Sequence, residues 1–216
     1  MLTGIISSLL NFNVYLPQLA HQNPILVYGI LFALIFIETG LVILPFLPGD
    51  SILFLVGSLS TLSFNGLNFL LLVVLLVPAA ILGDFVNFEI GEHFGPVLSS
   101  SRWGGAKLIS RDKMEKSQNF FDKHGASAII LARFTPIVRT FIPFLAGMSH
   151  MQYAKFARYN AVGGASWIVL MLLAGALFGA IPLVKQNFEL ITVGIVFISI
   201  LPMMVSTLRN KTKQQG

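Results

Sequence analysis

The chain contains no cysteine, which excludes disulfide staples, thiol nucleophiles and thiolate metal sites. Charge is scarce as well. Only 11% of the 216 residues are Asp, Glu, Lys or Arg, where an ordinary soluble domain carries about a quarter, so too few ionic groups exist to cover a surface in water. Lys and Arg are missing altogether from Met1 to Ser101. A nucleic-acid binder gathers its cations in a patch on a polar domain, and that class is excluded. With no basic region ahead of the first apolar stretch, Met1–Ala20 is not expected to be a cleaved signal peptide. Walker loops, nucleophile elbows and zincin motifs are absent too, so neither an enzyme nor a cofactor is expected.

What the chain has in abundance is apolar side chain: 55% of its residues are hydrophobic, and its mean hydropathy is +0.81. Such values describe a small all-α integral membrane protein. About 20 apolar residues cross the hydrocarbon as a helix, and residues 67–95, 159–184 and 188–208 are expected to do so. Residues 1–23 hold no Asp, Glu, Lys or Arg but several Asn and Ser, with Pro17, and are expected to lie in the membrane interface.

Two further apolar stretches do not read as simple spans. Residues 25–63 are interrupted by Glu38, Gly40, Pro45, Pro48, Gly49 and Asp50, and residues 126–150 by Arg133, Pro136, Arg139, Pro143 and Gly147. Proline removes a helix donor and glycine weakens helix interiors, so Pro45, Pro48 and Gly49 in one stretch, and Pro136, Pro143 and Gly147 in the other, are expected to unwind the chain. Broken backbone survives at membrane depth only when buried in protein or lining a wet cavity. Both stretches therefore read as re-entrant hairpins. Pro45–Ser51 and Pro143–Ser149 share Pro-Phe-Leu-x-Gly-x-Ser, and helices carrying Gly91/Gly95 and Gly175/Gly179 follow them. One crossing separates the two hairpins, so they enter from opposite faces. That is an inverted repeat, the arrangement that places a transport site near the midplane.

Residues 99–125 form the clearly aqueous segment, with six basic residues (Arg102, Lys107, Arg111, Lys113, Lys116, Lys123) against three acidic ones (Asp112, Glu115, Asp122). Ser110 is placed to cap a helix from Arg111 to His124 that Gly125 ends, with Met114, Phe120 and Phe121 available to the membrane surface. Lys155 and Arg158 precede the 159–184 span, and the basic tail 209–216 follows the last one. Two crossings separate those clusters, so all three share one side, which the positive-inside rule makes the cytoplasm. Lys185, in the intervening turn, is the exception.

Ionisable residues inside a membrane cost about 2.5–3.5 kcal/mol each at mid-helix even on insertion scales, which makes them functional candidates. Glu38 and Asp50 in the first hairpin, Arg133 and Arg139 in the second, and Asp84 nearer a helix end qualify. Arginine stays protonated, and its planar fork fits phosphate oxygens. Burial disfavours the charged form of a carboxylate, so Glu38 and Asp50 are candidates for proton carriage. The bland alternative is that these acids and arginines only neutralise one another. The histidines (His21, His93, His124, His150) are scattered and Glu92-His93 lacks metal-ligand spacing, so no metal is expected. The glycine pairs point to close helix contact.

Several of these residues carry a resemblance. Glu38-Thr39-Gly40, then Phe46-Leu47-Pro48-Gly49-Asp50-Ser51, then Gly83-Asp84-Phe85-Val86-Asn87-Phe88-Glu89-Ile90-Gly91 come first in order. Lys123-His124-Gly125 and Ala132-Arg133-Phe134-Thr135-Pro136-Ile137-Val138-Arg139-Thr140 follow, leading to Pro143 and Ala146-Gly147-Met148. Together they resemble the DedA family, also described as SNARE-associated or VTT-domain membrane proteins, from about Pro24 to the C-terminus. The resemblance implies two opposed re-entrant hairpins and the movement of lipids between leaflets. In bacterial members it implies undecaprenyl phosphate or phosphatidylethanolamine, in eukaryotic relatives phospholipid scrambling, with the proton motive force implicated. It carries the family's essential acids and arginines onto Glu38, Asp50, Arg133 and Arg139. One position departs: where the family commonly has Tyr, four residues after the Asp of its Gly-Asp motif, this chain has Phe88.

The expected protein is a bacterial plasma-membrane translocase that returns undecaprenyl phosphate to the cytoplasmic leaflet. Its partners are membrane lipids, engaged through a polyprenyl phosphate or phospholipid head group, with homo-oligomerisation left open. The alternatives are a phosphatidylethanolamine translocase or scramblase, a proton-coupled cation exchanger, and a non-transporting envelope scaffold.

Overall fold

The computed structural model describes residues 22–41, 49–61, 67–100, 102–103, 106–107, 111–135, 138–179 and 181. The expectations for Met1–His21, Pro45, Pro48, Pro136, the 188–208 crossing and the 209–216 tail lie outside them.

The described chain is helical apart from one short ladder. In order come α1 (Pro24–Gly40), α2 (Gly49–Leu59), α3 (Phe69–Ser100), β1 (Arg102–Trp103), β2 (Ala106–Lys107), α4 (Arg111–His124), a 3₁₀ turn (Gly125–Ser127), α5 (Ala128–Ala132), α6 (Phe141–Met148) and α7 (Tyr153–Gly179). β1 and β2 pair antiparallel, Arg102 opposite Lys107. Asparagines start two of the helices. The Asn23 carboxamide oxygen accepts the Leu26 N–H at 3.3 Å ahead of Pro24, and that of Asn68 accepts the Leu71 N–H at 3.1 Å. α4 has the expected bounds, and Gly125 follows it at φ +54°, a conformation that favours glycine.

Phe69–Gly95 of α3 and Tyr153–Phe178 of α7 are long and apolar enough to cross a membrane, and only 33% of each apolar window is buried. Leu70, Val74, Val162 and Leu177 point outward from these helices. Outward leucines and valines at this density suit hydrocarbon rather than water. α7 starts at Tyr153, a turn and a half before the expected residue 159, so Lys155 and Arg158 lie within it.

The second broken stretch differs from expectation. The chain leaves α5 at Ala132 and enters α6 at Phe141, and tight turns occupy the described residues between them. The Thr135 N–H donates to the Ala132 carbonyl at 2.9 Å and the Arg139 N–H to the Thr135 carbonyl at 3.1 Å. The described turns thus lie at 133–134 and 138–140, whereas Pro143 and Gly147 sit inside α6. Pro143 is the third residue of that helix, where the missing N–H would find no intrahelical acceptor anyway. Gly49, likewise, opens α2 instead of interrupting a helix, with Asp50 in the first turn where the helix dipole favours an anion. α6 ends with the His150 N–H donating to the Gly147 carbonyl at 2.8 Å and the Met151 N–H to the Ala146 carbonyl at 3.0 Å. That Schellman pattern holds His150 at φ +50°.

Contacts divide the chain into two compact units, one of Met1–Ile30, Pro48–Val73 and Leu170–Gly216, the other of Leu31–Leu47 and Val74–Val169. In the first unit α2 lies on the end of α7: a Cβ added at Gly57 would strike the Leu172 carbonyl, and one at Gly175 the Phe54 carbonyl. The Phe54 and Phe178 rings lie 5.9 Å apart beside this contact. In the second unit α6 lies on α3 in the same way, Gly147 against the Phe88 carbonyl and Gly91 against the Phe144 carbonyl. The two clasps share Phe-Leu-x-Gly at 54–57 and 144–147 and Gly-x-x-Phe-Gly at 91–95 and 175–179. This match falls further along the first stretch than the pairing of Pro45–Ser51 with Pro143–Ser149. The second unit's core gathers Phe88, Ile129, Val138, Ile142, Leu145 and Phe156, and Phe120 and Phe121 of α4 pack against it. Those two phenylalanines, expected to be available to the membrane surface, are partly buried against this core.

Candidate functional site

For so apolar a chain, the second unit buries many polar side chains: Glu38, Thr39, Asp84, Asn87, Arg133, Thr140 and Asn160. The last turn of α1 supplies Glu38 and Thr39, and the middle of α3 supplies Asp84 and Asn87, one turn apart on one face. The break between α5 and α6 supplies Arg133, Arg139 and Thr140. α7 adds Asn160 and Trp167.

These groups form two ion pairs around one aromatic ring. Arg133 Nη2 donates to Asp84 Oδ2, and also to Asn160 Oδ1 at 3.0 Å, while Asn160 Nδ2 donates to the Ile81 carbonyl at 3.0 Å. Arg139 Nη2 donates to Glu38 Oε1. The guanidinium carbons of Arg133 and Arg139 lie 5.6 and 5.1 Å from the centroid of Trp167, within cation–π range. Asn87 Nδ2 donates to the Thr39 carbonyl at 3.1 Å and to the Thr140 carbonyl at 2.8 Å. Thr39 follows Glu38 and Thr140 follows Arg139, so one amide fixes the separation of the two backbones that carry that ion pair. Glycine makes room for the assembly. A Cβ at Gly83 would stand 2.7 Å from the Phe36 carbonyl.

Four of the five expected site residues meet here: Glu38, Asp84, Arg133 and Arg139. Asp84, read as a peripheral fifth, takes Arg133. Asp50 belongs to the first unit. Asn87, Asn160, Thr39, Thr140 and Trp167 were not singled out as site residues. Their signals were faint: Asp84-x-x-Asn87 and Asn160 are polar residues in apolar runs, whereas Thr and Trp are ordinary in membrane helices. Phe88 is wholly buried, its ring 4.5 Å from that of Phe156 and 5.4 Å from that of Tyr153. Its surroundings are aromatic, so the hydroxyl of a tyrosine is not missed by packing.

Two acids and two arginines leave the site electrically neutral. Each buried charge depends on its partner, since removing one member of such a pair costs about 3–5 kcal/mol. An incoming anion or proton can exchange those partnerships: a proton on Glu38 or Asp84 weakens its hold on the arginine, and a phosphate offers that arginine a replacement. On the second unit, an open groove of about 400 Å³ is lined by Phe36, Leu82, Phe85, Val86, Ile90 and Phe94, with Glu89 and His93 its polar residues.

The VTT domain matches residues 47–177 of the chain. The chain is 48% identical over 207 residues to Protein DedA of Escherichia coli strain K12, covering 96% of this chain and 94% of that protein. It is 41% identical over 176 residues to an uncharacterized membrane protein of Mycobacterium tuberculosis strain H37Rv, covering 82% and 76%. Identity to inner membrane protein YqjA of E. coli K12 is 32% over 163 residues, covering 74% and 72%. No solved structure matches the chain.

Proposed function

The chain belongs to the VTT-domain, or DedA, family of membrane proteins, and from that premise we propose that it moves a phosphate-bearing lipid between the leaflets of a bacterial inner membrane. Undecaprenyl phosphate is the substrate we favour. In this reading the protein is a multi-pass transporter and no enzyme. Its two broken stretches are opposed re-entrant hairpins in an inverted repeat, and its C-terminus is cytoplasmic.

The observation that carries the reading is the pair of arginines, Arg133 buried and Arg139 partly so, each joined to a carboxylate and both over Trp167. Two guanidiniums around one ring offer two forks to a head group with several oxygens. Protonation of Glu38 or Asp84 releases an arginine toward phosphate, and loss of the proton restores the ion pair and expels the lipid. Asp50 is a further candidate for proton coupling.

Proteoliposomes with a leaflet-resolved reporter of polyprenyl phosphate test the proposal. We expect the purified protein to accelerate its movement, and a proton gradient to increase the rate. Movement of phosphatidylethanolamine instead would change the substrate. Cation flux without lipid movement would make the protein an exchanger, and the absence of both would make it a scaffold.

A further inference from the structure

Outside the arginine site, α3 carries a second cluster of ionisable side chains, built around the Glu92-His93 pair. Glu89, Glu92 and His93 stand at spacings of three, four and one, so all three point to one side of the helix. One ligating atom from each lies within 4.8 Å of the others. His93 Nδ1 is 3.3 Å from Glu89 Oε2. His150, on the separate turn between α6 and α7, brings its Nδ1 to 3.6 Å from Glu92 Oε1. The left-handed conformation of His150 closes α6 and delivers that ring. The expectation of no metal rested on Glu92-His93 as neighbours; the spacing that matters is Glu89 to His93, and its complement comes from a residue far away in sequence.

We propose that Glu89, Glu92, His93 and His150 form a site for a divalent transition-metal ion of the Zn²⁺ class. Two carboxylates and two neutral imidazoles are the oxygen and nitrogen donors such an ion takes, four in number, and their charge balances a dication. Zn²⁺ bonds of about 2.0–2.2 Å require Glu89, Glu92 and His93 to close up from within 4.8 Å of one another, and the exposed His150 ring to swing in from its place 3.6 Å from Glu92. Access is open: the His93 and His150 side chains are 63% and 75% exposed. The chemistry also has a structural result. A bound ion ties α3 to the α6–α7 turn at the end of the α3–α6 clasp, on the elements that hold Asp84 and follow Arg139.

Zn²⁺ titration of the purified protein, carrying no polyhistidine tag, tests the site, and the absence of cysteine removes any thiolate background. One saturable equivalent is expected, weakened at least about tenfold by His93→Ala, by His150→Ala and by Glu92→Gln, but unchanged by His124→Ala. Co²⁺ should give the intense visible absorption of a four-coordinate site, lost in the His93→Ala/His150→Ala double variant. All these side chains are partly or largely exposed, so the variants should fold, and unchanged thermal unfolding without metal checks that they do. No saturable Zn²⁺ binding, or binding that survives the double variant, would overturn the site.

Discussion

Asn87 spends both amide hydrogens on backbone carbonyls, those of Thr39 and Thr140, and so acts on Glu38 and Arg139 without touching either in those bonds. Replacing it with Ala removes the donor that joins these two carbonyls, at about 1–3 kcal/mol in all. Asn87→Ala should therefore lower the unfolding midpoint in detergent and slow transport, by loosening the ion pair's geometry; an unchanged midpoint would remove the bridge from the account. The arginines call for a different test. If Arg139 serves only to neutralise Glu38, Lys should suffice, and Glu38→Gln/Arg139→Gln should restore what either single change destroys. If it grips phosphate through its fork, Arg139→Lys keeps the charge but loses the bidentate geometry. We expect both the Lys variant and the double variant to insert at wild-type abundance and to transport at less than about a tenth of the wild-type rate, a loss of roughly 1.4 kcal/mol or more. An active double variant would falsify the phosphate role. Sequence alone identified the charged members of this site because charge in an apolar run is conspicuous. It hid their partnership, since Glu38 meets Arg139 across 101 positions, and nothing local favours that pairing over Asp50.

Helices, at the next scale, were legible wherever hydropathy and caps agreed: α3 and α4 lie close to their expected bounds because Asn68 and Gly125 punctuate them. Helix α6 was not, because Pro143 and Gly147 look like breaks in sequence. Pro143 is harmless in a first turn, and Gly147 serves contact rather than unwinding. The clasps make this distinction measurable. Gly147→Ala and Gly57→Ala each push a methyl into the backbone of the facing helix, and overpacking of that kind costs about 1–3 kcal/mol. Gly29, in the middle of α1, has nothing within 4 Å of an added Cβ, so Gly29→Ala should be neutral or stabilise by about 0.5–1 kcal/mol. Thermal or denaturant unfolding of the three variants in one detergent decides it. Equal effects at Gly29 and Gly147 would mean that helix propensity, not the clasp, governs both.

For the molecule as a whole, orientation follows from where cations are missing. No Lys or Arg precedes Arg102, yet six fall between Arg102 and Lys123, directly after the apolar window Phe69–Gly95 of α3. Holding such a cluster on the cytoplasmic side is favoured during insertion, and if α3 crosses, the residues before it are expected on the opposite side. Asn65-Gly66 is therefore expected outside, and residues 99–125 inside. By the same bias, Lys155 and Arg158, early in α7, are expected at the cytoplasmic surface. Because the natural chain is free of cysteine, single cysteines report without background. In intact cells an impermeant maleimide should label Asn65→Cys but leave Lys113→Cys untouched until the membrane is opened. Labelling of Lys113→Cys from outside would invert the molecule: it would put the basic segment in the periplasm, against the positive-inside bias.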